Sequence, residues 1–264
     1  MADSDPPVEA RALTLAYGSR EILRRISFTV DRGDIFVIMG GSGCGKSTLL
    51  RSMVGLLEPS AGDVLYGGES FTSADGEERA KFLRRFGVLY QKGALWSSMT
   101  LAENIGLVLE EYTDLPPAEI REVAAFKLAL VGLAGFEDHT PDEVSGGMQK
   151  RAGIARAIAL DPEILFLDEP SAGLDPVTSR RLDDLIVTLR DSLGTTILVV
   201  THELESLLAI GDDSIFLDGE TKSILARGAP RELLESSTDP RVQAFLKREA
   251  PAAEGGPKSG DGPG

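Results

Sequence analysis

A chain of 264 residues with 27 Lys and Arg against 42 Asp and Glu has a formal charge of -15; it can bury a sizeable core, and it should repel phosphate backbones and anionic lipid. No run approaches the roughly 20 apolar residues of a membrane span, and residues 1–8 are polar and proline-containing rather than basic and then apolar. A soluble cytoplasmic protein without nucleic-acid partners is expected, and the one cysteine, Cys44, allows no internal disulfide.

In chain order, residues 13–17 and 21–30 read as strands around the Gly18-Ser19 turn, with Tyr17 at a strand end. After the Asp31-Arg32-Gly33 break, 35–39 has the character of a fully buried parallel strand, as do 164–167 and 196–200. Helical stretches separate them, so a parallel α/β sheet is predicted, with ligands at the carboxyl ends of its strands.

Gly40-Gly41-Ser42-Gly43-Cys44-Gly45-Lys46-Ser47 satisfies G-x-x-x-x-G-K-[ST] between the first buried strand and a helical segment that begins at Thr48. The glycines let successive N–H groups converge on an anion, and the helix N-terminus adds positive potential there. Lys46 is placed to reach the β- and γ-phosphates of a nucleotide, and Ser47 to offer an oxygen to Mg2+. Cys44 is read as a small side chain turned away from nucleotide.

Residues 93–99, which include Leu95, Trp96 and Met99, put apolar side chains on a loop: either a groove for a partner's helix or a place where Trp96 is buried within the subunit. From about 101 to 159 the pattern is mainly helical, broken at Pro116-Pro117 and Thr140-Pro141. His139 lies in a polar loop and is expected to be solvated. Ser145-Gly146-Gly147 opens a helix running to Ala159, forming either a second anion site or no more than a Ser145 cap.

Asp168 and Glu169 end the strand 164–167 beside the expected phosphate loop. Asp168 is placed to orient Mg2+ or its water, and Glu169 to align the water attacking the γ-phosphate or accept its proton; without the loop, the same acids would be read as a helix cap. His202 follows the strand 196–200 and should stand within reach of the γ-phosphate. The Ala-, Pro-, Gly- and Ser-rich tail, 250–264, is expected to be disordered.

Together these segments resemble the ABC ATPases. Ser145-Gly146-Gly147-Met148-Gln149 is similar to the family's signature, Asp168-Glu169-Pro170 to its Walker B segment, and Ala172-Gly173-Leu174-Asp175 to its D-loop. Gln91 resembles the Q-loop glutamine and His202 the switch histidine. The resemblance implies an α/β P-loop NTPase of RecA-like type, one cassette over 1–249. Its parallel-sheet core would cover about 1–92 and 160–235, with an N-terminal antiparallel β-subdomain, an inserted helical subdomain at about 93–159 and a C-terminal helical extension at about 236–249.

It further implies ATP hydrolysis with Mg2+ held by Ser47, Gln91 and Asp168, and catalysis by Lys46, Gln91, Glu169 and His202. Nucleotide contacts would come from Gly40, Gly41, Ser42, Gly43, Cys44, Gly45, Lys46, Ser47 and Thr48, and from Tyr17 stacked on adenine unless that ring merely packs. Ser145, Gly146, Gly147, Met148, Gln149 and Asp175 would serve the nucleotide of a second copy in a two-fold homodimer.

More narrowly, Gln91 to Trp96, the acidic stretch 110–115, Met148, and Asp239-Pro240-Arg241-Val242 with Phe245-Leu246 resemble the lipid-transport ATPases of the outer-membrane lipid-asymmetry (Mla) and mammalian-cell-entry (MCE) systems. Such a match implies movement of phospholipid or another hydrophobic substrate, at the cytoplasmic face of the inner membrane. The implied partners are a multi-span membrane permease, a periplasmic MCE-type lipid-binding subunit and a small cytoplasmic regulatory subunit. Val144, where the signature usually begins with leucine, and Ser171-Ala172 depart from the family pattern without touching the catalytic groups. An importer ATPase for a small polar solute would share every catalytic residue. A non-transport ABC ATPase of translation or DNA repair would usually add a second cassette, a coiled coil or a zinc insertion.

Overall fold

The computed structural model describes residues 5–91 and 94–248. Strands β1 (Val8–Tyr17) and β2 (Arg20–Val30) pair antiparallel across the Gly18-Ser19 turn, each beginning earlier than the sequence pattern suggested because the ladder continues through polar positions. With β4 (Ala61–Tyr66) and β5 (Glu69–Ser70) they make a four-stranded antiparallel sheet in the order β2-β1-β4-β5.

Strands β3 (Ile35–Gly40), β7 (Ile164–Asp168) and β8 (Thr196–Val200) are buried at every position, as expected for apolar runs with helices or sheet on both faces. They form the centre of a six-stranded sheet with β6 (Phe86–Leu89), β9 (Asp213–Asp218) and β10 (Ser223–Arg227), in the order β10-β9-β3-β8-β7-β6. Every pairing is parallel except that of the edge strand β10.

Alternate residues of the central strands serve different layers, as the two-residue strand period requires. Phe36, Ile38, Phe166, Leu198 and Val200 pack with the antiparallel sheet and helix α1 (Lys46–Met53). On the opposite face, Ile35, Leu165, Leu167, Ile197 and Val199 share one apolar cluster with α3 (Leu101–Tyr112), α4 (Pro117–Leu130), α5 (Gly146–Ala157) and α6 (Pro176–Leu193). Val37 and Met39 belong to a third cluster with α7 (Leu204–Ile210), α8 (Pro230–Ser236) and α9 (Pro240–Lys247), while α2 (Gly76–Arg84) starts on an Asp75 cap beside the antiparallel sheet.

Local signals fix the helix ends. Thr100 and Glu103 form a reciprocal capping box at α3, and Asp175 accepts from the N–H groups of Val177 and Thr178 at the start of α6, which ends on Gly194 in the left-handed region. Helix α5 stops at Ala157, two residues before the expected Ala159. His139 is half-buried against Phe136, with ring centroids 5.0 Å apart, rather than solvated. The tail 250–264 lies outside the described residues, and among those described no helix is long and apolar enough to cross a membrane.

One buried acid bridges two helices. Asp183 of α6 accepts from Ser206 Oγ of α7 at 2.8 Å, and its Oδ1 has no hydrogen-bond partner among the described residues. Burial pushes its pKa up to about 6 from the ordinary 3.8. A raised folded-state pKa means that the native protein prefers the protonated acid, so this contribution is complete below the ordinary value and is lost as pH rises through about 6. Asp183→Asn keeps an oxygen for Ser206 and removes the buried charge. It is expected to raise Tm by a few degrees at about pH 8 and to flatten the fall in Tm between about pH 4 and 7, measured by scanning calorimetry. An unchanged Tm profile would count against titration of Asp183.

Candidate active site

Backbone geometry shapes the loop after β3. Gly40 has φ 146°, and a Cβ there would lie 2.3 Å from the Leu217 carbonyl oxygen and 2.7 Å from Cys44 Sγ, so no side chain fits. Gly45, at φ 107°, caps α1 and presses against Leu23 of β2. The loop is thereby held between the two sheets with the α1 N-terminus aimed along it, the arrangement that binds phosphate. Lys46, almost wholly buried, donates from Nζ to the carbonyls of Gly40 at 2.9 Å and Gly41 at 3.0 Å, so its ammonium lies across the mouth of the loop. Cys44 is buried in the apolar cluster beneath, where burial pushes its thiol pKa up, and it does not line the cavity above.

That cavity, of about 990 Å³, is lined by Tyr17 and Arg20, by Gly40 to Gly43 and Gly45 to Thr48, by Gln91, and by Glu169 and His202. Residues from three strand ends meet here because β8 lies between β3 and β7. Ser47 Oγ donates to Asp168 Oδ1 at 3.2 Å. Asp168 is buried at the end of β7, and that burial raises its pKa. His202 Nδ1 stands 2.8 Å from Glu169 Oε1, whereas Glu169 Oε2 is buried with no hydrogen-bond partner among the described residues. Glu169 also has φ 50°, an uncommon conformation for a residue with a side chain, persisting only where neighbours hold it.

The second glycine segment lies elsewhere. Ser145, Gly147 and Met148 line a separate cavity of about 430 Å³ with Leu174, Thr178 and Arg181. Ser145 Oγ caps α5 by accepting from the Met148 N–H at 3.3 Å, and Gln149 donates its amide to the Pro141 carbonyl at 2.8 Å. A Cβ on Gly147 would come within 2.6 Å of Thr178, so glycine here permits close approach of α5 to the capped start of α6. Ser145 to Gln149 and Asp175 therefore do not converge on this chain's own phosphate loop.

Several residues take roles at the site that the sequence analysis did not assign. Arg20, Phe245 and Arg248 line the nucleotide-sized cavity, the last two brought there by α9, the expected C-terminal helix, whose packing beside the cavity no local pattern announces. Lys150 donates to the main-chain carbonyls of Gln91 and, at 3.3 Å, of Glu169. Buried Asn104 organises the loop before α3: its side chain accepts from the Trp96 N–H at 2.7 Å and donates to the carbonyls of Trp96, Met99 and Thr100. Trp96 is turned outward by this arrangement and is 62% exposed, so burial within the subunit is ruled out for it.

A glycine loop at a helix N-terminus, a lysine across it and an acid pair on a neighbouring strand define a phosphate-loop nucleoside triphosphatase. The family profile described as ABC transporter matches residues 23–172, and the chain belongs to that family as an ABC ATPase cassette that binds ATP. It is 40% identical over 239 residues, 90% of its length and 88% of the relative's, to the intermembrane phospholipid transport system ATP-binding protein MlaF of Escherichia coli K12. It is 41% identical over 239 residues to a protein of Mycobacterium tuberculosis described as a probable ribonucleotide transport ATP-binding protein, mkl, of whose length it spans 66%. Among solved structures, a dimeric ATP-binding cassette in a post-hydrolysis state bound to ADP and Pi matches with a TM-score of 0.76 at 30% identity, covering 84% of this chain and 98% of that one. The cassette cbiO1 of Clostridium perfringens, part of the ABC transporter complex cbiONQ, matches with a TM-score of 0.80 at 27% identity, covering 93% and 97%.

Lys46→Ala should weaken ATP binding at least about tenfold, because it deletes the ammonium set across the loop. Titration with a fluorescent ATP analogue measures this, and wild-type affinity in the variant would remove Lys46 from phosphate binding.

Proposed function

We propose that the chain powers a phospholipid transporter, hydrolysing ATP as a two-fold homodimer beneath a membrane permease. The observation that carries the hydrolytic part is the state of Glu169. One carboxylate oxygen lies 2.8 Å from His202 Nδ1, the other is buried with no hydrogen-bond partner among the described residues, and the residue itself lines the cavity of the phosphate loop. A carboxylate so held can align a water at the γ-phosphate and take its proton, and His202 sets its orientation.

Ser47 and Asp168 present facing oxygens, and Gln91 lines the same cavity as Ser47, a set of oxygens that suits Mg2+. Such an ion would neutralise charge on the β- and γ-phosphates. Tyr17, 45% exposed at the cavity edge, offers its ring face to adenine.

The dimer is supported by Ser145-Gly146-Gly147, which lies at the start of α5 outside the cavity of the phosphate loop and suits the γ-phosphate of a second copy. The matching solved cassette is itself dimeric. For the organisation of the chain we read one cassette whose inserted helical part, about 93–159, packs on the back of the sheet, a reading supported by their shared apolar cluster. Exposed Trp96 suits a permease helix at the cytoplasmic face of the inner membrane. The phospholipid transport named for the MlaF relatives favours phospholipid as the cargo, and an MCE-type periplasmic subunit and a small regulatory subunit are the further partners that the sequence resemblance implies.

Glu169→Gln should bind ATP normally, hydrolyse it at least about 10²-fold more slowly, and accumulate as an ATP-bound dimer. Phosphate release and size-exclusion chromatography check this, and near-normal turnover would exclude Glu169 from the role. Co-purification from the native membrane tests the cargo. A multi-span permease carrying phospholipid, with lipid-stimulated ATPase, is expected; a permease stimulated by a ribonucleotide or other polar solute would overturn the lipid reading.

A further inference from the structure

Lys150 sits one turn into α5, half-buried, with its ammonium bonded to the carbonyls of Gln91 and Glu169. Burial lowers its pKa, while the nearby charges of Asp168 and Glu169 act in the opposite sense. Further along the same helix, Arg156 Nη1 donates to the Ala94 carbonyl at 2.6 Å. Helix α5 thus grips the Gln91 segment on both sides of residues 92 and 93.

At Glu169 the grip has a particular meaning. Its left-handed backbone must be imposed by its surroundings, and it is bonded on both sides: the N–H donates to the Val200 carbonyl at 2.8 Å, and the carbonyl accepts from Lys150. A long stem with a compact three-donor head can serve two diverging carbonyls at once.

The other end of the helix looks outward. Ser145, Gly146 and Gly147 begin α5, and the cavity that Ser145 and Gly147 line is separate from the one holding Glu169. A single hydrogen-bonded helix therefore carries a segment suited to the partner's phosphate at its start and, one turn on, a cation fastened to this chain's own hydrolytic residues.

We infer that Lys150 is a positioning residue that relays between the two nucleotide sites: where α5 is drawn by the partner's γ-phosphate, Lys150 sets the main chain at Gln91 and Glu169 of the same copy. This inference rests on the dimeric reading above. Coupling of this kind is a free energy between sites, so it appears as cooperativity in hydrolysis rather than as affinity for a single nucleotide.

The full-length chain, Lys150→Met and Lys150→Arg are compared for fluorescent ATP-analogue binding and for ATPase kcat, KM and Hill coefficient. Lys150→Met is expected to bind the analogue within about threefold of wild type, to lose at least about tenfold in kcat, and to drop from cooperative hydrolysis to a Hill coefficient of about 1, with Lys150→Arg recovering most of both. Lys150→Gln, judged by the same criteria, replaces Lys150→Met if that variant does not fold. Wild-type kcat and cooperativity in Lys150→Met would overturn the relay. So would parallel loss of binding and kcat that Lys150→Arg does not rescue, or a wild-type enzyme without cooperativity. Glu169→Gln, run alongside with ATP, separates the levels: if it forms no dimer, the two-site reading falls and takes the relay with it. If it dimerises while Lys150→Met behaves as wild type, the relay alone falls.

Discussion

Everything at the nucleotide cavity depends on the register of three buried strands. Ile38 of β3, Val200 of β8 and Asp168 of β7 share one row of the parallel ladder, so the chain leaves β7 and β8 on that row and β3 two residues beyond it. From that row the phosphate loop, the acid pair and His202 all emerge within a few residues. A slip of one residue in any strand would turn its apolar side chains to the wrong face and carry Ser47 away from Asp168, so core packing and active-site geometry are enforced by one constraint. The apolar layers on both faces, the antiparallel sheet on one and helices α3 to α6 on the other, oppose such a slip.

Much of this was legible in the sequence because its signals are local. A five-residue apolar run, a loop of glycines with Lys46 and Ser47, and a pair of acids at a strand end each announce themselves within a few positions. What escaped was non-local. Phe245 and Arg248 reach the cavity only because α9 folds back over β9, where Phe245 meets Phe216 with ring centroids 5.2 Å apart. Lys150 reads as an ordinary charged helix residue, and its two carbonyl partners lie 59 and 19 positions away. Asn104 reads as a helix polar residue, yet it is fully buried and organises a loop through four hydrogen bonds. The bounds of β1 and β2 were short in the sequence reading because cross-strand bonding extends where apolar alternation fades.

The signature and D-loop residues illustrate how one side chain can carry two obligations. In the single chain, Ser145 caps α5, Asp175 caps α6, and Gly147 lets those two helix starts approach. The local reading of Ser145 as a cap and its reading as part of an anion site are therefore compatible. A capped helix start is already ordered, and a phosphate arriving there would meet N–H groups that need no rearrangement.

The outward turn of Trp96 has a practical consequence. It is the only tryptophan in the chain, and Asn104 anchors the backbone on both sides of it. Indole emission from this protein therefore reports on a single surface spot, red-shifted while wet and blue-shifted when another molecule covers it. The molecule carries its own optical gauge of docking, with no dye to attach and no second indole to confuse the signal.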